Sequence, residues 1–211
     1  MANTVAVSYE QLLDWLRLID ETLIEHRIEL TELDSAIGDG DHGTNLTRGA
    51  AAASAKVDAE QPEYLDELFR VVGMTLISSV GGASGPLYGT FFLRVSLSVG
   101  HSQQLTPEQL ADALEAGLAG ILDRGKPELG DKTMYDAMEP AVRAFRATLG
   151  EGVASASRAA AEAAEAGRDA TADLVARKGR ASYLGERSVG HIDPGAASAA
   201  LMFDALATAL A

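Results

Sequence analysis

The feature that most constrains the fold is helical periodicity along nearly the whole chain. From residue 10 to residue 30, apolar residues return at steps of three and four, and later segments repeat this spacing. Such spacing places apolar side chains on one face of an α-helix. We find no segment with the alternation of apolar and polar residues that is typical of a half-buried strand. The sequence therefore predicts an all-α protein.

Helix boundaries can be proposed from capping signals. Thr106, Pro107 and Gln109 form a capping box with proline in the first turn, and Asp193 with Pro194 gives a second start signal. Many of the helical segments are rich in alanine, which permits close packing of helices. We expect a single domain over 1–211, built as a bundle or closed barrel of eight antiparallel amphipathic helices. The predicted helices are 10–30, 45–56, 64–80, 86–99, 107–125, 134–149, 153–178 and one from 194 onward.

Charge and composition narrow the classes of partner. The chain has 17 basic and 31 acidic residues, for a formal charge of −14. This charge repels phosphate backbones and anionic lipids, so we expect no nucleic-acid partner and no membrane partner. The absence of cysteine excludes disulfides and thiolate metal sites. The amino-terminal residues lack the pattern of a signal peptide, and we expect a cytoplasmic protein.

The stretch "DSAIGDGDHGTN", residues 34–45, crowds three carboxylates together: Asp34, Asp39 and Asp41. It also spells G-x-G-x-x-G, but a dinucleotide site needs a preceding strand, and none is predicted. The ligand spacing of an EF-hand is absent too. Two interpretations stay open: a solvated turn, and a site where Mg²⁺, Mn²⁺ or Ca²⁺ joins carboxylates to phosphates.

Two further segments are candidates for anion binding. "GGASGP", residues 81–86, places small residues and Ser84 before a helix, where free amides attract anions; it also suits a plain turn. "RKGRASYLGERS" contains the main basic cluster, with Arg177, Lys178, Arg180 and Arg187. This cluster could clamp a phosphoryl group, or it could follow from the dipole of a helix carboxyl end.

Four blocks together resemble one family: "DSAIGDGDHGTN", "GMTLISSVGGASGPLYGTFF", "GDKTM" and "ARKGRASYLGERSVGHIDPGAAS". They are similar to the DhaL family, the nucleotide-binding subunits of phosphotransferase-system-dependent dihydroxyacetone kinase. The carboxyl-terminal domain of one-chain ATP-dependent dihydroxyacetone kinases resembles them as well. The resemblance covers essentially the whole chain. It implies a barrel of eight antiparallel helices with the nucleotide on loops at one end.

The resemblance also implies roles for particular residues. Asp34, Asp39 and Asp41 would coordinate two Mg²⁺ ions that hold the phosphates of ADP or ATP. Arg180 would stabilise charge on the phosphoryl group, with Arg177 and Arg187 as the alternatives. Met134 would lie against the base. The full set implied to contact the nucleotide is His42, Gly43, Thr44, Asn45, Ala83, Ser84, Gly125, Met134, Arg180, Asp193, Pro194 and Gly195.

The family's activity implies two protein partners. A DhaM-like phosphohistidine protein would convert bound ADP to ATP in place, and a DhaK-like subunit would present dihydroxyacetone. The sequence agrees with this role, because it offers a phosphate clamp and no evident nucleophile or base. Three alternatives stay open: a subunit of an ATP-dependent triose or tetrulose kinase, a module that acts on a transcription regulator, and a non-catalytic helical protein.

Overall fold

The computed structural model describes residues 6–211. Within that range the chain forms nine α-helices, and the only sheet is an antiparallel pairing of β1 (Val7–Ser8) with β2 (Gln104–Leu105). The all-α prediction is confirmed. The helices are α1 (Tyr9–Glu25), α2 (Arg27–Ile37), α3 (His42–Glu60), α4 (Leu65–Ser79), α5 (Ser84–Val99), α6 (Pro107–Gly125), α7 (Tyr135–Thr148), α8 (Val153–Ala170) and α9 (Pro194–Ala209).

The two predicted capping signals begin helices as expected. At α6, the Thr106 hydroxyl accepts from the Gln109 backbone N–H at 3.2 Å, and Gln109 accepts from the Thr106 N–H at 2.8 Å. At α9, Asp193 Oδ2 accepts from the Ala196 N–H at 2.8 Å. Each cap satisfies amide donors that the helix itself leaves free. Local sequence therefore fixes these two helix starts.

The first predicted helix is divided in two. The chain turns at His26, with φ −92° and ψ 10°, and α2 then continues to Ile37. No glycine or proline stands at this break, so the sequence carries no breaker signal there. The extension of α2 beyond residue 30 carries Asp34 into its last turn. The segment that carries the three aspartates, residues 34–45 and called the acidic loop below, therefore begins in the last turn of α2.

The predicted helix at 153–178 is shorter than expected, because α8 ends at Ala170. Thr171 is buried there, where its hydroxyl donates to the Arg168 carbonyl at 2.6 Å and accepts from the Asp193 N–H at 2.9 Å. This contact ends α8 against the start of α9. Two 3₁₀ segments follow, Thr171–Asp173 and Arg180–Ser188, the second in a stretch predicted to be a loop.

Helices that follow one another in the chain pack together, and the last helix also packs on the first. Each helix from α3 to α8 packs on the next, α9 packs on α1, and α1 packs on α3. Most of their buried apolar residues form one cluster that extends from Val7 to Leu210, while Ile37 at the end of α2 belongs to a small second cluster with Ala176 and Ala181. Trp15 of α1 contacts α9 directly, since its indole N–H donates to the Met202 carbonyl at 2.9 Å.

Across residues 6–211, no helix is both long enough and apolar enough to cross a lipid bilayer.

Candidate functional site

The loops before α3, α5 and α9 open into one cleft with a volume of about 700 Å³. The segment before α7 and residues 177–183 form its other side. A cleft of this size is typical of small-molecule sites. Most of the predicted site residues line it: Asp34, Asp39, Asp41, His42, Asn45, Ala83, Ser84, Gly125, Met134, Arg180, Asp193, Pro194 and Gly195.

Gly43 and Thr44 are not among the residues that line the cleft. Gly43 is buried, and a Cβ atom there would overlap the Arg27 carbonyl oxygen and lie 2.6 Å from Thr31 Oγ1. The glycine therefore allows α3 to pack closely on α2. Thr44 is exposed.

The three carboxylates converge at the start of α3. One oxygen from each of Asp34, Asp39 and Asp41 lies within 4.8 Å of the others. Asp34 is buried, and its Oδ2 accepts from the backbone N–H groups of Asp41 at 2.8 Å and His42 at 3.1 Å. A Cβ atom at Gly38 would overlap the other oxygen of Asp34, so glycine makes room for the carboxylate. The loop is thereby folded around Asp34.

The donor set fits a hard cation. It consists of carboxylate oxygens alone, which suits Mg²⁺, Mn²⁺ or Ca²⁺ better than Zn²⁺. Three crowded carboxylates repel one another and need positive charge nearby. Arg180 supplies part of it, with Nη2 at 3.0 Å from Asp39 Oδ2. Asp39 and Asp41 are exposed and line the cleft.

Three helix amino termini meet at the cleft, those of α3, α5 and α9. A chain of hydrogen bonds connects them: the imidazole of His42 bonds to Ser84 Oγ at 3.3 Å and to Ser198 Oγ at 2.9 Å, and Ser198 bonds to the Tyr88 hydroxyl at 2.7 Å. Burial lowers the pKa of His42 below its usual 6.5, which favours the neutral form of the ring. Helix amino termini carry partial positive charge and bind phosphates.

The glycine loop exposes backbone toward the cleft. Gly82 has φ +68°, a left-handed conformation that glycine adopts without strain, and a Cβ atom there would meet nothing within 4 Å. At Gly81, a Cβ atom would lie 2.9 Å from Asn45 Nδ2. The Gly81–Ala83 backbone therefore presents a bare surface beside Ser84, as a phosphate site requires.

Part of the cleft wall is apolar, and we call this part the apolar slot. Leu87, Ile121, Pro127 and Met134 line the cleft there, close to Gly125 at the end of α6. Met134 is buried, and a Cβ atom at Gly195 would lie 3.5 Å from Met134 Cβ. The slot has the apolar character that a planar heterocyclic base requires.

The basic cluster is divided by the fold. Arg177, Lys178 and Arg180 line the cleft, while Arg187 is exposed and does not. Lys178 Nζ donates to the Gly125 carbonyl at 3.3 Å. Arg180 has an ion pair with an acidic-loop residue, and the cluster therefore acts on the same cleft as the carboxylates.

Sequence reasoning missed Lys132, which is almost fully buried in the wall of the cleft. Its Nζ donates to the Thr171 carbonyl at 2.5 Å and to the His191 carbonyl. Burial lowers the pKa of Lys132, whereas burial raises the pKa of nearby Asp193 to about 7. These contacts join residues 39 and 59 positions apart, so no local pattern could have indicated them.

Comparisons with known proteins identify the family of the chain. The model of the DAK2 domain matches residues 36–208. The chain is 47% identical over 195 residues to PEP-dependent dihydroxyacetone kinase 1, ADP-binding subunit DhaL, of Listeria innocua, covering 92% of this chain and 93% of that protein. It is 43% identical over 207 residues to the PEP-dependent ADP-binding subunit DhaL of Escherichia coli, covering 97% and 99%.

Among solved structures, the dihydroxyacetone kinase of C. freundii is similar, with a TM-score of 0.74 and 29% sequence identity. The alignment covers 99% of this chain and 36% of that one, so the chain spans about a third of the kinase. A second structure of that kinase, in complex with AMP-PNP and Mg²⁺, matches with the same TM-score and 28% identity.

Proposed function

The chain belongs to the DhaL family of DAK2-domain proteins, and from that premise we propose that it is the ADP/ATP-binding subunit of a dihydroxyacetone kinase. A DhaM-like phosphohistidine protein is the proposed phosphoryl donor, and a DhaK-like subunit that holds dihydroxyacetone is the proposed acceptor. Bound ADP would accept the phosphoryl group and, as ATP, give up its γ-phosphoryl. The observation that carries the proposal is the convergence of three carboxylates with three helix amino termini in one cleft.

The carboxylates would hold the metal. Asp34, Asp39 and Asp41 are proposed to bind two Mg²⁺ ions, a count that rests on the family resemblance. When bound, Mg²⁺ neutralises phosphate charge and shares its coordination with phosphate oxygens. Asp34 keeps the loop folded through its two backbone hydrogen bonds, and the exposed pair faces the cleft.

The chain's other residues would bind and orient the nucleotide. The proposed phosphate contacts at the starts of α3 and α5 are His42, Asn45, Ala83 and Ser84. Gly43 and Thr44 would complete the first turn of α3 beside them. Arg180 would stabilise charge on the transferring phosphoryl group. Gly125 and Met134 would frame the base, and Asp193, Pro194 and Gly195 would complete the wall at the start of α9.

We also propose the finer architecture expected from the family: a single domain in which eight antiparallel helices form a closed barrel. The return of α9 onto α1 and the continuous apolar cluster support it. In that arrangement α2 is an additional short helix that leads into the acidic loop. The cytoplasmic location and the contact with a transcription regulator remain predictions from the sequence.

Retention of ADP and the choice of donor test the proposal. We expect the purified protein to carry ADP, which chelator and dialysis should remove. With a DhaK-like subunit present, a phosphorylated DhaM-like protein should support multiple turnovers, and excess ATP should be a poor substitute. Equally fast turnover with ATP alone would replace this proposal with an ATP-dependent kinase subunit. A protein that binds neither ADP nor ATP in the presence of Mg²⁺ would refute both.

Variants of the exposed carboxylates test the metal site. Asp39→Asn and Asp41→Asn should lose bound ADP on dialysis, because the phosphates would face the acidic loop with less cation to neutralise them. Asp123→Asn is the matched control, since Asp123 is an exposed aspartate paired with Arg94 outside the cleft. If both cleft variants keep ADP as the control does, even with chelator, the carboxylates do not bind the metal.

A further inference from the structure

Lys132 has three unusual properties, and two of them are costly for a lysine. Its side chain is 1% exposed, its backbone has φ +63°, and its ammonium is bonded to carbonyl groups. Burial of an ammonium is unfavourable unless hydrogen bonds and charge compensate it. A left-handed backbone is strained for any residue with a Cβ atom, and such strain is concentrated at functional sites. The fold therefore tolerates two costs to keep this ammonium where it is.

The ammonium is held by backbone rather than by a bonded carboxylate. In the part of the chain that the structure describes, no carboxylate oxygen lies within 4.0 Å of Nζ. Asp193, Asp136 and Asp173 act on it at longer range as the compensating negative charges. Two of its three N–H groups are used by Thr171 and His191. These two acceptors belong to the segments before and after the basic cluster.

Further hydrogen bonds connect the same segments. The Arg177 N–H donates to the Asp131 carbonyl at 3.0 Å, next to Lys132 in the chain. The Gly190 N–H donates to the Ala172 carbonyl at 2.8 Å. The Thr171 hydroxyl accepts from the Asp193 N–H. Lys132 is thus the central donor of a network that joins the turn before Met134 to both ends of the segment that carries the basic cluster.

We propose that Lys132 is a positioning residue of the nucleotide cleft. Its ammonium fixes the Thr171 and His191 carbonyls, and through them the distance between Met134 on one segment and Asp193–Gly195 on the next. With its left-handed backbone, Lys132 places its ammonium on both of these carbonyls. This inference rests on the proposed function, because the wall it holds is the one assigned to the base and to the start of α9.

The Lys132→Met variant tests the inference, because methionine keeps most of the apolar stem and removes the charge and the donors. Lys126→Met is the matched control, since Lys126 also has a left-handed backbone, with φ +46°, but is exposed and does not line the cleft. The measurement is the rate of release of a fluorescent ADP analogue from the Mg²⁺-loaded protein. We expect Lys132→Met to release it about 10-fold to 100-fold faster than wild type, the usual effect of losing a supporting contact. The control should stay within about twofold.

The release rate separates positioning from simple stabilisation. A residue that only stabilises the fold would lower the melting temperature and leave release from the folded protein unchanged, and that result would overturn the inference. Wild-type protein that binds no ADP would instead overturn the proposed function.

If Lys132→Met does not fold, hydrogen exchange of the wild-type protein tests the inference instead. Addition of Mg²⁺ and ADP should slow hydrogen exchange at residues 131–134 and 189–193 together. Slower exchange confined to the acidic loop would also overturn the inference.

Discussion

Replacement of Asp34 by alanine should destabilise the protein even when neither nucleotide nor metal is present. Asp34 is the one buried residue among the three aspartates of the acidic loop, and its Oδ2 accepts from the N–H groups of Asp41 and His42. The alanine variant leaves both donors without this partner at the start of α3. The loss therefore concerns the folded chain itself, in addition to any effect on binding.

Two opposing contributions set the magnitude. Hydrogen bonds to a charged group contribute about 1.5–3 kcal/mol each, so two of them give roughly 3–6 kcal/mol. Removal of one carboxylate relieves repulsion from Asp39 and Asp41, at a separation of up to 4.8 Å. Because those two are exposed, a solvent-like dielectric gives about 1 kcal/mol for each pair. The net loss is about 1–4 kcal/mol, and a value in the middle of this range, about 2.5 kcal/mol, lowers the melting temperature of a chain of this length by roughly 5–10 °C.

The assay is thermal unfolding of nucleotide-free protein in chelator, monitored by circular dichroism. Asp39→Ala is the matched control: it loses one solvent-exposed ion pair with Arg180, worth about 0–1 kcal/mol, and relieves similar repulsion. Its melting temperature should stay within about 2 °C of wild type. Both variants should bind ADP more weakly when Mg²⁺ is restored.

An Asp34→Ala variant that melts with the wild type in chelator would refute this reasoning. It would mean that the two amide contacts do not hold the loop. Equal destabilisation by Asp39→Ala would refute it in another way, because the structure gives that residue no backbone partner in the loop.

Three further variants test other parts of the structure. Gly43→Ala should lower the free energy of unfolding by about 1–3 kcal/mol, because its Cβ would overlap the Arg27 carbonyl, whereas Gly150→Ala, in open space, should be nearly neutral in the same denaturant titration. Burial raises the pKa of Asp193 from 3.8 to about 7, so the folded state loses stability as the pH rises between these values. From about pH 5.5 to about pH 7, the wild type should lose roughly 2 kcal/mol relative to Asp193→Asn, at 1.36 kcal/mol per pH unit; parallel pH profiles would contradict this. Arg180→Gln should slow phosphoryl transfer in a single-turnover assay more than it weakens ADP binding, and an unchanged transfer rate would remove Arg180 from that role.

The parts of the fold that were predictable from sequence are those with local causes. The capping box at Thr106 and the start signal at Asp193 concern residues three positions apart, and both begin helices as expected. The break at His26 has no such signal. The early end of α8 depends on the contact of Thr171 with Asp193, 22 residues away, which no window of sequence contains.

The residues of the candidate site also differ in whether the local sequence could predict them. The carboxylates of the acidic loop are close in sequence, and their spacing alone indicated that they could share a cation. Resemblance indicated that Met134 and Asp193 share a site with them, and the structure brings both to the cleft. Lys132 escaped notice because its partners are carbonyl oxygens, which every residue has. Side-chain type gives no indication of such a contact.

The contact of Trp15 with Met202 also has a consequence for the order of events during synthesis. These residues are 187 positions apart, so the first helix has no permanent neighbour on that side until α9 has left the ribosome. Contacts of such long sequence separation slow folding, because the chain must first close a very large loop. Asp193–Gly195 begin the same helix. A nascent chain should therefore gain its ability to capture nucleotide only after α9 has been synthesised and has packed on α1.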